Sequence, residues 1–322
     1  MSSRTLEKAA FASLASALAG VAGVLYASSR SWPGIPDAAA PMPPYALPPA
    51  RLVPVPERGE IFVREAPWVG DEAGPQRPVI VLIHGWMFPA DLTWFACYQP
   101  IAQIGPIVAM DLRGHGRGSR PCEPFRLADA ADDIAALLRE LGTGPAVAVG
   151  YSMGGTIAQL LWRRNPDVVR GLVLCATAAT FSEHLGDRLL WRGMGAFQVA
   201  LRLVPRFWWQ RLGRSYLPEA SPSLLPWMIG ELDRGSAEDV AEAGRELGRY
   251  DARDWLGGVD VPTAVVVTAK DRLVPAARQR ALASLIAGAQ TYEVPLGHDA
   301  CTAHADLFVA AVGKAIEHVL DV

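Results

Sequence analysis

Short, largely apolar runs at 78–83, 107–110, 146–149, 171–175 and 263–268 punctuate this chain, and helix-like stretches lie between several of them. Runs of four to six apolar residues with no polar alternation suit strands buried on both faces. In the intervening stretches apolar residues recur at spacings of three and four, as in Ile134, Leu137, Leu138 and Leu141 within 127–141. The stretches 156–164, 276–286 and 305–320 behave alike. Strands that alternate with amphipathic helices form a parallel sheet covered on both sides. The expected class is therefore α/β, with a mostly parallel central sheet and helices on both faces. Residues 60–65 alternate weakly and add an early antiparallel strand, and 292–294 supply the last strand.

Composition narrows the function classes. A chain of 322 residues has room for a large core, and its net charge is only -3. No basic run or face is present, which argues against a nucleic-acid partner. Lys8, Lys270 and Lys314 are the only lysines, a bias that reads as coding composition and not as a phosphate site. The cysteines at 97, 122, 175 and 301 show no metal-ligand spacing. Cys175 reads as a small core residue, and a Cys97–Cys122 disulfide stays open. No motif calls for a cofactor or a metal.

The ends and one long interval set the domain organisation. Residues 9–29 carry no charge and follow Arg4 and Lys8. As a helix they would span about 31 Å, close to the thickness of a bilayer core. An uncleaved anchor is the expectation, with a signal peptide or a surface helix as rivals. Basic residues before the segment would leave the globular domain on the extracytoplasmic side. Residues 31–56 are proline-rich and read as an extended spacer. The core is expected over 57–179 and 251–322. Residues 180–250 hold no convincing strand but hold Trp191, Trp208, Trp209 and Trp227, which suggests an inserted helical cap.

The chemistry concentrates at Gly150-Tyr151-Ser152-Met153-Gly154, where a β-branched apolar run meets a helix pattern. In a strand-to-helix turn, Gly-x-Ser-x-Gly lifts the serine hydroxyl clear of the sheet edge. A serine hydroxyl is a poor nucleophile unless an imidazole takes its proton and a carboxylate orients that imidazole. Asp271 follows the 263–268 run, and His298 follows the 292–294 run, so both lie at the same sheet edge as Ser152. Asp254 and Asp260 precede their strand and lie at the other end. His304 and His318 fall within the final helix pattern. Acyl transfer also needs N–H donors aimed at the developing oxyanion. The turn at His84-Gly85-Trp86 and the start of the helix after Ser152 offer the backbone N–H groups of Trp86 and Met153. His84 reads as a brace for that turn.

These segments, with Asp111-Leu112-Arg113-Gly114-His115-Gly116-Arg117-Gly118-Ser119, give the chain from about 57 to 320 its resemblance to the α/β-hydrolase fold superfamily. Its glycines at 114, 116 and 118 do not fit the dinucleotide pattern G-x-G-x-x-G. The order Ser152, Asp271, His298 is the order that superfamily uses. Serine at the nucleophile position separates the chain from the superfamily's haloalkane dehalogenases and epoxide hydrolases. The resemblance implies an esterase- or lipase-like serine hydrolase acting on a small apolar ester through an acyl-enzyme. Carbon–carbon bond hydrolysis, cofactor-free perhydrolase chemistry and a ligand-binding role on the same scaffold stay open.

Overall fold

The computed structural model describes residues 45–69, 77–194, 225–232, 234–303 and 305–322. Eight strands form one sheet: β1 (Ala50–Val55), β2 (Gly59–Ala66), β3 (Ile80–Ile83), β4 (Ile107–Met110), β5 (Ala146–Tyr151), β6 (Val169–Cys175), β7 (Thr263–Thr268) and β8 (Gln290–Val294). Their order across the sheet is β1-β2-β4-β3-β5-β6-β7-β8. The β1–β2 and β2–β4 pairs are antiparallel, and from β4 to β8 every pair is parallel.

The described helices are α1 (Ala90–Trp94), α2 (Tyr98–Ala102), α3 (Leu127–Glu140), α4 (Met153–Arg164), α5 (Leu185–Arg192), α6 (Leu225–Leu232), α7 (Ala237–Arg249), α8 (Ala276–Leu285), α9 (Ala300–Ala303) and α10 (Ala305–Asp321). Alternate strand residues point to opposite faces, and both faces are dry. Val81, Ile83, Val265 and Val267 pack with Ile134, Leu138, Ile157 and Leu161 of α3 and α4. Ile80, Leu82, Val147 and Val149 pack on the other face with Ile101 of α2 and Phe308, Val312 and Ile316 of α10. Burial on both sides is why these strands carry no polar alternation.

Two expectations change and one open question closes. The sheet begins inside the proline-rich stretch: β1 pairs along β2 from Ala50–Arg64 to Val55–Gly59. Val53 and Val55 face inward and are buried, while Leu52 and Pro54 face out. An edge strand uses only one row of backbone hydrogen bonds, so the missing Pro54 N–H is tolerated there. The membrane-anchored, extracytoplasmic placement is also corrected. Among the described residues no helix is long and apolar enough to cross a membrane, and residues 9–29 lie outside the described ones. Finally, all four cysteines are free thiols, with Cys97 buried and Cys122 exposed, so no disulfide joins them.

Between β6 and β7 the described residues form helices α5, α6 and α7 and no strand of the sheet. The ends of this segment meet over the core. Ala252 N–H donates to the Ala179 carbonyl at 2.8 Å, and Thr180 and Asp251 form an antiparallel bridge. Trp227 of α6 is buried edge-on against Phe95, and Trp191 of α5 meets Trp86. Trp208 and Trp209 lie outside the described residues.

Candidate active site

β5 passes into α4 through Ser152, whose backbone sits at φ 54° and ψ -116°. Non-glycine residues avoid such angles, at a cost of about 1–3 kcal/mol, unless their surroundings over-determine them. Here they do. A Cβ at Gly150 would run into the Gly154 carbonyl, and one at Gly154 would meet the carbonyls of Ile83 and His84. The Ser152 N–H donates to the Cys175 carbonyl at 2.8 Å. Ser152 is left almost buried, on the wall of a cleft of about 650 Å³ that His298 also lines.

The turn after β7 presents Asp271, and the turn after β8 presents His298. His298 Nδ1–H donates to Asp271 Oδ2 at 2.7 Å, and His298 Nε2 lies 3.0 Å from the Ser152 hydroxyl. The structure thus brings the three side chains into one hydrogen-bonded line. Asp271 is itself held from several sides. Its Oδ1 accepts the N–H groups of Leu273 and Val274 at 2.8 and 2.9 Å. Its Oδ2 accepts the Thr268 hydroxyl at 2.8 Å and Gln279 Nε2 at 3.3 Å. Burial alone would favour the neutral acid, but the His298 ring, the Val274 amide and the Thr268 hydroxyl together outweigh it. The carboxyl therefore ionises below the usual range for an aspartate. Chemically, this line can draw a proton from the serine hydroxyl while holding the imidazole in one tautomer.

Trp86 lines the same cleft, and Met153 is the residue after Ser152. Trp86 follows β3, and Met153 opens α4, where the first backbone N–H groups have no helical acceptor. No described residue accepts a hydrogen bond from either amide. His84 braces the first turn. Its Nε2 accepts the Leu112 N–H at 2.9 Å, and its Nδ1 lies 2.8 Å from the Gly85 carbonyl. Burial lowers its pKa to about 4, so it stays neutral at pH 7.

The remaining candidates are placed elsewhere. Asp260 accepts the Trp162 indole N–H at 3.0 Å. His318 packs against Tyr292, and His304 lies outside the described residues. Among the described residues no group of three or more His, Cys, Asp or Glu could hold a metal ion.

Two side chains of the site escape a reading of the sequence. Tyr151 donates its hydroxyl to the His298 carbonyl at 2.7 Å, and its ring lies 5.6 Å from the imidazole. Gln279 of α8 donates to the Val274 carbonyl and the Thr268 hydroxyl, at 2.7 and 2.8 Å, and so holds the Asp271 turn shut. Tyr151 and His298 are 147 positions apart, and no local pattern announces such a bond.

Comparison with known proteins agrees with this architecture. A family model for the alpha/beta hydrolase fold matches residues 78–304. A pimeloyl-[acyl-carrier protein] methyl ester esterase of Neisseria meningitidis is 31% identical over 248 residues, which cover 74% of this chain and 92% of that protein. Among solved structures, the enol-lactonase of Burkholderia xenovorans LB400 is similar with a TM-score of 0.65 and 25% identity, covering 83% of this chain and all of that one (100%). A hydrolase from Pseudomonas aeruginosa PA01 gives a TM-score of 0.70 at 22% identity, over 83% and 98% of the two chains, and so shares the fold. Fold, strand order and family match converge: this chain belongs to the alpha/beta hydrolase fold family and is a hydrolase.

Proposed function

We propose that the chain is a serine hydrolase that cleaves a carboxylic ester of an apolar substrate by way of an acyl-enzyme. The observation that carries this reading is the continuous line from the Ser152 hydroxyl through His298 to Asp271, at 3.0 and 2.7 Å. Ser152 Oγ attacks the ester carbonyl carbon as its proton passes to His298 Nε2. Negative charge gathers on the carbonyl oxygen, where the N–H groups of Trp86 and Met153 serve as the oxyanion hole. The tetrahedral adduct collapses, and His298 returns the proton to the departing alcohol. Water then gives a proton to His298 and attacks the acyl carbon. Collapse of the second adduct releases the acid and reprotonates Ser152. Asp271 stays ionised and stabilises the imidazolium in both halves.

An apolar substrate suits the cleft, whose walls include Trp86, Met87, Phe88 and Leu273. On this reading the described helices between residues 180 and 250 act as a cap, because helix α7 accepts a hydrogen bond from Trp86 at the cleft. The esterase and lactonase relatives support ester chemistry as the reaction class. Labelling with a fluorophosphonate followed by peptide mapping tests the assignment. The label is expected on Ser152 and absent from Ser152→Ala; a label elsewhere, or one retained by Ser152→Ala, would overturn it.

A further inference from the structure

Helix α7 contains Gly244 and Gly248, a spacing of four that puts both on one face. Glycine inside a helix costs about 1 kcal/mol relative to alanine, so each needs a reason to be there. The reason is a pair of tryptophans. A Cβ at Gly244 would come within 2.9 Å of Cζ2 of Trp86, and a Cβ at Gly248 would strike the Trp191 side chain. The two indoles meet edge-on in this groove, with ring centroids 5.8 Å apart. Trp86 is also tethered, since its Nε1–H donates to the Val240 carbonyl of α7 at 2.7 Å, 154 positions away in the chain.

We propose that Trp86 is a positioning residue through which the insertion sets the oxyanion hole. This rests on the serine-hydrolase reading above, which gives the Trp86 N–H its role. The loop at Trp86 has two further constraints of its own. His84 fixes its start through Leu112 and Gly85, and Met87, at φ 70°, sits in a conformation that favours glycine. The Gly85 carbonyl belongs to the same planar peptide as the Trp86 N–H, so the His84 bond holds that peptide at one end. The indole supplies the hold at the other end, because a planar ring held by a hydrogen bond at one edge and a helix backbone beneath it has little freedom. The amide is thereby aimed jointly by His84 and by a helix that lies between β6 and β7, far from the turn in sequence. An oxyanion donor must lie about 2.7–3.1 Å from the oxygen it stabilises, so a slack indole would be felt in the transition state before it was felt in ground-state binding.

The test is a double-mutant cycle with Trp86→Phe, which keeps a ring but removes the N–H, and Gly244→Ala, which fills the groove. Turnover of a p-nitrophenyl ester and inhibition by a trifluoromethyl ketone, which forms a tetrahedral adduct, are measured on each. Each single variant is expected to lower kcat by about 10-fold, a fraction of the loss from removing an oxyanion donor outright, with KM within about twofold. Affinity for the trifluoromethyl ketone is expected to fall in parallel. In the double variant the smaller ring relieves the Gly244→Ala contact with Trp86 but not the one with Met194 Sδ at 3.0 Å, so the two losses add only in part. Folded variants with unchanged kcat and unchanged ketone affinity would overturn the proposal, as would strictly additive losses. Either result leaves the serine-hydrolase reading intact, since that reading is tested separately, by labelling of Ser152 and by turnover of Ser152→Ala.

Discussion

At the scale of single residues, the site depends on how tightly three loop side chains are held. Asp271 ionises below its ordinary range because His298, two backbone amides and the Thr268 hydroxyl hold the charged form. Asp271→Asn would keep the shape but remove the charge that, in the proposed mechanism, stabilises the imidazolium. Steady-state kinetics on an ester should show kcat down about 10³-fold or more, with little change in KM. Tyr151→Phe removes only the hydroxyl that holds the His298 carbonyl. A buried hydrogen bond of this kind is worth about 1 kcal/mol. A lower melting temperature and kcat down a few-fold are therefore expected, measured by thermal unfolding and by turnover. That Ser152, Asp271 and His298 come together was legible in the sequence, because each follows a recognisable strand and so reaches the same sheet edge. Tyr151 and Gln279 were not, because their roles arise from partners that only the folded chain brings near.

At the scale of elements, the loop from Asp111 to Ser119 joins the sheet to the insertion. Arg117 donates through its main-chain N–H and its guanidinium to Asp111, at 2.8 and 3.2 Å, and reaches both oxygens of Glu231 in α6 at 2.7 and 2.8 Å. Its guanidinium also lies 4.7 Å above the Phe62 ring. Asp111 and Glu231 are both buried, and removing Arg117 would take the paired cation from Asp111 and leave Glu231 with Arg234. Arg117→Met should destabilise the fold by about 3–5 kcal/mol, read as a shift in the urea midpoint. The sequence showed this loop as a run of glycines without showing its ion pairs. Gly116, at φ 50°, is one glycine with an identifiable reason: a Cβ there would sit 2.7 Å from Pro89 and collide with the Asp111 carboxylate. β1 escaped notice because Pro54 interrupts its alternation, and prolines read as spacer until an edge position excuses them. The parallel strands from β3 to β7 were legible because burial on both faces leaves a short apolar run, whereas β8 is exposed along most of its length and showed only its last residues.

For the whole molecule, stability carries the mark of two buried imidazoles. Burial lowers both His84 and His115 to about 4, with the nearby His84 ring adding to the effect on His115. Both therefore stay neutral in the fold, while the unfolded chain protonates them as pH drops through 6.5. The unfolded state binds more protons in that window, so stability must fall as pH falls from 6.5 to about 4. Urea unfolding at pH 7 and pH 5 should differ by about 2 kcal/mol per histidine, and a flat profile over that range would contradict the burial. The fold also needs β1: a chain begun at residue 57 would lose the strand that carries buried Val53 and Val55 and should melt several degrees lower than one begun at residue 45. All of this serves one claim, that Ser152 carries the acyl group between two half-reactions. Rapid quenching of a p-nitrophenyl ester reaction, followed by intact-mass and peptide analysis, tests that claim most directly. One acyl group on the peptide containing Ser152, formed in a burst with the first equivalent of p-nitrophenol, is the result expected. Turnover at full rate with no adduct on that peptide, or with the adduct unchanged in Ser152→Ala, would contradict it.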